Sequence, residues 1–78
     1  DLRTQVEAAP LSRWSRSRGR SVRLVQERLH TRGFNPGVVD GIYGRNTAAA
    51  VKEFQRSQGF LKVNGMVNGD TFGALFLQ

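Results

Sequence analysis

The sequence predicts an all-α fold, a compact bundle of three short helices joined by ordered glycine-rich loops. Three observations predict it. Val22, Val25 and Leu29 recur at i, i+3 and i+7, which puts them on one side of a helix. Ala50, Val51 and Phe54 make a second apolar face, and Phe72, Leu75 and Phe76 a third. Between these faces lie stretches dense in Gly, Asn, Asp and Pro, the residues that turn a chain and do not extend a strand.

Residues 1–10 are polar and end in Pro10, so they read as a linker with at most a frayed helical turn near residues 4–9. The domain is then residues 11–78. Residues 11–20, LSRWSRSRGR, hold one large apolar side chain, Trp14, which is expected to pack on the domain as a lid; ligand stacking is the minority reading. The first helix spans about residues 22–32, with Ser21 as the expected N-cap and Gly33 as the stop. Residues 35–47, NPGVVDGIYGRNT, form an ordered loop, and Thr47 is expected to cap a second helix at residues 48–58. A shorter loop leads to Thr71, the expected cap of the third helix. The predicted core is Val22, Val25, Leu29, Phe34, Val39, Ile42, Val51, Phe54, Leu61, Val63, Val67, Phe72 and Leu75.

Residues 39–51, VDGIYGRNTAAAV, echo residues 63–75, VNGMVNGDTFGAL. Asp40 faces Asn64, Gly41 faces Gly65, Ile42 faces Met66 and Thr47 faces Thr71. Asp or Asn can accept a hydrogen bond from the backbone two residues on, and Gly supplies positive φ. The chain therefore uses one loop-plus-helix device twice, with Asp40, Gly41, Gly44, Thr47 and Thr71 in structural roles.

Composition limits the chemistry. The chain has 78 residues, enough for one small domain, no cysteine and a single histidine, His30. Disulfides, a thiol nucleophile and a multi-histidine metal site are thereby excluded, and no cofactor is expected. No apolar run is long enough to span a membrane. Beyond the first ten residues the acids are Glu27, Asp40, Glu53 and Asp70; two sit on polar helix faces and two at turns. None pairs with another as glycoside hydrolysis requires. Asp40 is followed by Gly, Ile, Tyr and Gly, which is no calcium loop. The net charge is +6, and residues 1–20 hold five arginines against two acids. This leaves a basic three-helix nucleic-acid binder as the alternative reading, weakened because the excess lies in the tail and the glycine-rich loop is too long for a helix-turn-helix.

Val22-x-x-Val25-Gln26-x-x-Leu29, Gly33-Phe34, Asp40-Gly41-Ile42-Tyr43-Gly44, Thr47, Ala50-Val51, Phe54-Gln55 and Gly65-x-Val67-x-x-x-Thr71 together resemble the peptidoglycan-binding domain family, from about Leu11 to Phe76. The resemblance departs at Val25, Asn64 and Phe72, where the family more often has Leu, Asp and Trp. It implies a non-catalytic, monomeric module that binds bacterial peptidoglycan through the stem peptide, without nucleic acid. It also implies an attached cell-wall hydrolase or transpeptidase and an extracytoplasmic or phage-encoded protein. The expected ligand site is formed by the Gly41–Gly44 backbone, Arg45 for carboxylates and Tyr43 as an aromatic wall. Lys62 and Asn64 come from the echoing loop, and Gln26 and Gln55 from the floor. For the two glutamines a hydrogen bond to buried loop backbone is the favoured role, and for Tyr43 a half-buried core role is at least equal.

Overall fold

The structure is a computed structural model that describes residues 2–77; Asp1 and Gln78, the outer ends of the expected linker and domain, lie outside the described residues. It is all-helical, as expected, with four helices among the described residues: α1 (Leu2–Ala8), α2 (Arg20–Thr31), α3 (Arg45–Gln58) and α4 (Gly69–Phe76). Helices α2, α3 and α4 are the three expected. Helix α1 is an addition: it packs on α4 and buries Val6 in the core, where a linker was expected. Leu2 and Val6 are spaced one helical turn apart, but two apolar residues in a polar heptapeptide are too short a pattern to declare a face, which is why the sequence hid it.

The helix ends differ from expectation in an instructive way. Helix α2 starts after Gly19, without a side-chain cap, and Ser21 lies inside it. Its end follows the sequence: the Gly33 N–H donates to the His30 carbonyl and the Phe34 N–H to the Leu29 carbonyl, a Schellman closure around a left-handed glycine. Phe34 is thereby set edge-on to Phe54, with ring centroids 5.6 Å apart. Helix α3 begins after Gly44, again without a side-chain cap, so Thr47 is its third residue and not its cap. Helix α4 is capped by Asn68, whose side-chain oxygen accepts from the Thr71 N–H at 3.0 Å. Thr47 and Thr71 are both buried, and both spend their hydroxyls elsewhere.

The core is Val6, Val22, Val25, Leu29, Tyr43, Ala50, Val51, Phe54, Val67, Phe72, Ala74 and Leu75, with Phe34 and Leu61 packed at its edge. Ile42 and Val63 were expected inside but are 56% and 43% exposed, and Val39 is only partly buried. The first repeat plugs the core one residue later than expected, with Tyr43 in place of Ile42, while the second plugs it with Val67 as expected and leaves Val63 outside. The Asx turn explains the shift. Asp40 and Asn64 each accept from the backbone two residues on, at Ile42 and Met66, and this rotates those side chains outward.

The N-terminal segment is laced to both repeats at equivalent positions. Leu11 and Val67 exchange backbone hydrogen bonds of 3.0 and 2.8 Å. The Tyr43 N–H donates to the Ser17 carbonyl at 3.0 Å, and the Gly19 N–H to the Gly41 carbonyl at 2.7 Å. Between these ties, residues 12–17 form a tight loop, with buried Ser12 at its base. At the other end of the molecule, Arg28 Nε and an Arg32 guanidinium nitrogen both donate to the Leu75 carbonyl, at 2.9 and 3.3 Å. Two cations thus close the C-terminus of α4, where the helix dipole is negative.

Candidate functional site

Two loops, residues 40–44 and 64–68, are built on the same plan, each pinned by a buried glutamine from the preceding helix. On α2, the Gln26 amide oxygen accepts from the Gly41 N–H at 2.8 Å. Its amide nitrogen faces the Ile42 carbonyl and Thr47 Oγ1, each at 3.0 Å, and Asp40 Oδ1 at 3.2 Å. On α3, the Gln55 amide oxygen accepts from the N–H groups of Asn64 and Gly65 at 3.0 and 2.9 Å. Its nitrogen faces the Met66 carbonyl, Thr71 Oγ1 and Asn64 Oδ1 at 2.9, 3.1 and 3.1 Å. Only an uncharged amide offers an acceptor and two donors on one planar end, so neither Glu nor Lys can replace it. Gly41 and Gly65 turn the chain at φ +78° and +74°. A Cβ on Gly41 would sit 3.1 Å from the Gly19 carbonyl oxygen, so this glycine is required by space as well as by φ.

These contacts show where several expected site residues stand. Gln26 and Gln55 are buried, and their polar atoms all bond to the loops they clamp. This is the favoured one of the two roles given to them. Tyr43 is also buried, and its hydroxyl donates to the Gly65 carbonyl at 2.6 Å, tying the first loop to the second. Burial pushes its phenol pKa up. It supplies no aromatic wall. Asn64 is half-buried and its side-chain oxygen is occupied by the Met66 N–H and Gln55. Asp40 is exposed, and its pKa is lowered by the Ile42 N–H first and by Gln26 second.

Arg45 and Lys62 remain as exposed cations, but in different grooves. Arg45 lines a groove with Pro36, Val38, Asp40, Ile42 and Gly44 at the start of α3. Lys62 lines another with Phe60, Leu61, Asn68 and Asp70 at the start of α4. The two grooves have no residue in common, so the residues expected to line one two-sided site fall in a pair of grooves related by the repeat. They are not equal. The α3 groove opens on a helix start without a side-chain cap and carries Arg45. The α4 groove has its helix start closed by Asn68 and carries Asp70. No cluster of metal-ligating side chains occurs among the described residues. No helix among them is long and apolar enough to cross a membrane.

The domain is thus helical, with twin glutamine-clamped loops and an open groove at the start of each of α3 and α4. Comparison with known proteins agrees. Residues 18–75 match the family model described as "Putative peptidoglycan binding domain". The chain belongs to the peptidoglycan-binding domain family, a family of non-catalytic cell-wall-binding modules. It is similar to the spore cortex-lytic enzyme of Bacillus subtilis (strain 168), 40% identical over 53 residues, covering 68% of this chain and 17% of that enzyme. It is also similar to the protein FadG of the same organism, 34% identical over 74 residues, covering 95% of this chain and 13% of that protein. The chain therefore spans under a fifth of the length of these relatives. Among solved structures, the SleB N-terminal domain superposes with a TM-score of 0.78 at 35% identity, covering 85% of this chain and 86% of that one.

Proposed function

We propose that this module holds an attached cell-wall enzyme on peptidoglycan by binding the stem peptide in the groove at the start of α3. The setting is extracytoplasmic, and the module acts as a monomer. One observation carries the choice of groove: Arg45 stands beside a helix start whose first-turn N–H groups have no side-chain acceptor. A stem peptide ends in a carboxylate, and a planar guanidinium fork next to backbone N–H donors suits that group. The α4 groove, with Lys62 and Asp70, suits amide and amine groups further along the same peptide. The relationship to a spore cortex-lytic enzyme supports an attached hydrolase, although the chain matches only a small part of it.

Chemical-shift mapping with a soluble muropeptide, alongside pull-down with isolated sacculi, tests the reading. Perturbed amides at residues 41–47 are expected. Arg45→Ala should weaken binding about tenfold, the loss of one charged hydrogen bond worth about 1.4 kcal/mol, with the melting curve unchanged. Perturbations confined to residues 60–74, or an unaltered Arg45→Ala affinity, would move the site elsewhere.

A further inference from the structure

Trp14 is the sequence's one tryptophan, and it was expected to be a lid; it is instead 77% exposed. The loop that carries it is not slack. The Ser15 N–H donates to Ser12 Oγ at 3.0 Å, and the Ser12 N–H to Ser17 Oγ at 3.1 Å. The hydroxyls of Ser12 and Ser15 lie 2.7 Å apart, and those of Ser15 and Ser17 3.1 Å apart. The Ser17 N–H returns to the Ser12 carbonyl at 3.1 Å. Arg16 is held at φ +54°, the left-handed conformation that non-glycine residues seldom adopt. Three serines and a constrained arginine therefore hold an apolar ring out in water, which serves no packing purpose.

The surroundings of the ring are cationic. Arg13 places its guanidinium carbon 5.2 Å from the ring centre, covering one face and leaving the other open. Arg13, Arg16, Arg18 and Arg20 are all exposed, and the ion pairs among the described residues, Arg23–Glu27 and Arg56–Glu53, involve none of them. Other arginines are accounted for: Arg28 and Arg32 close α4, and Arg23 and Arg56 face Glu27 and Glu53. Between Glu7 and Glu27 the sequence has no acid. A groove beside the loop, lined by Arg13, Arg16, Arg18 and exposed Ile42, gives this surface a concave track and not a flat face.

We propose that the Trp14 loop is a second binding surface, adjoining the stem-peptide groove at Ile42, for a sugar-phosphate polymer. Guanidinium groups pair with phosphate through parallel N–H bonds. Four of them within eight residues exceed the charge of a single peptide and match a chain that repeats its charge. The open face of the indole fits the carbon–hydrogen edge of a sugar or polyol unit lying between phosphates. A concave track favours a chain over a lipid surface.

Trp14 reports on its own occupancy, because no other tryptophan contributes to the emission. The intact domain is titrated with a soluble glycerol-phosphate polymer, with duplex DNA and anionic phosphatidylserine vesicles at equal phosphate as comparators. The polymer should shift Trp14 emission and bind more tightly than either comparator. Trp14→Ala, followed by calorimetry, should weaken polymer binding about tenfold. Arg16→Ser with Arg18→Ser should lower the slope of log affinity against log salt by about one to two. The proposal is overturned if the polymer fails to bind, if Trp14→Ala binds it unchanged, or if DNA or vesicles bind more tightly. Sacculi stripped of phosphate polymers test the stem-peptide groove separately: they should retain the wild-type domain and lose Arg45→Ala, whatever happens at Trp14.

Discussion

Gln55→Met removes the amide while nearly preserving side-chain length and volume, so what it measures is the hydrogen bonding of the second loop. Two backbone N–H groups, those of Asn64 and Gly65, lose their acceptor, and the Met66 carbonyl and Thr71 hydroxyl lose a donor. The Gly65 N–H is buried and water has no route to it without opening the loop. A buried donor left unpaired costs about 1–3 kcal/mol, so two of them, one only partly buried, cost about 3 kcal/mol. A domain of this size has a total stability of about 4–12 kcal/mol, so the variant should remain folded but much weakened. Its melting midpoint should fall by about 12–24 °C. Gln26→Met orphans a single N–H, that of Gly41, and should cost about 2 kcal/mol. Far-UV circular dichroism in urea is the assay, since exposed Trp14 senses unfolding poorly. A Gln55→Met loss below about 1 kcal/mol, or a loss smaller than that of Gln26→Met, would refute the view that these amides hold the loops.

Three further outcomes are expected. Deleting residues 1–10, or making Val6→Ala alone, should destabilise the domain, the latter by about 2 kcal/mol, because Val6 is buried against α4; unchanged urea midpoints would return α1 to the status of a linker. Asn68→Ala should cost about 1 kcal/mol as the true cap of α4, and Thr71→Ser should cost less than Thr71→Ala because the hydroxyl facing Gln55 survives, both read from urea midpoints. Asp40 has a lowered folded pKa, so its contribution is whole above its ordinary value of 3.8 and is lost as pH falls through the folded value; urea midpoints should therefore fall below pH 4 in the wild type and less so in Asp40→Asn.

Helix periodicity, glycine stops and the repeat were legible because each is written in local spacing. Val22, Val25 and Leu29 needed no partner to declare a buried face, Gly33 ended its helix as read, and the second helix stopped at residue 58 as read, before left-handed Gly59. The roles of Thr47 and Thr71 were misplaced because a threonine before a helix and a threonine three residues into it look alike when the start of the helix is unknown. What separates them is a glutamine 21 or 16 residues earlier in sequence, a contact no local rule supplies. The segment that carries Val6 was expected to be linker and Trp14 to be a lid, and the two depart from expectation in opposite directions. For an isolated apolar residue, burial is decided wholly by what the fold brings against it. The Arg45 and Lys62 grooves were correctly tied to equivalent loops, but sequence alignment of a repeat does not give the distance between its copies. The paired Asn68–Thr71 spacing, N-x-x-T, was the available signal for the α4 cap.

The glutamine clamps also make the helices hostages of one another. Helix α2 pins the loop that launches α3, α3 pins the loop that launches α4, and α4 ends on the arginines of α2. This is a closed circuit, and no member can loosen while the others stay in place. Unlike an open stack of repeats, where one end can fray and the rest persist, the ring of α2, α3 and α4 has no end from which to unzip, and only α1 stands outside it. The ring should accordingly unfold in a single cooperative step. The Gly41 and Gly65 amides, though they belong to loops, should exchange hydrogen as slowly as the centres of α2 and α3.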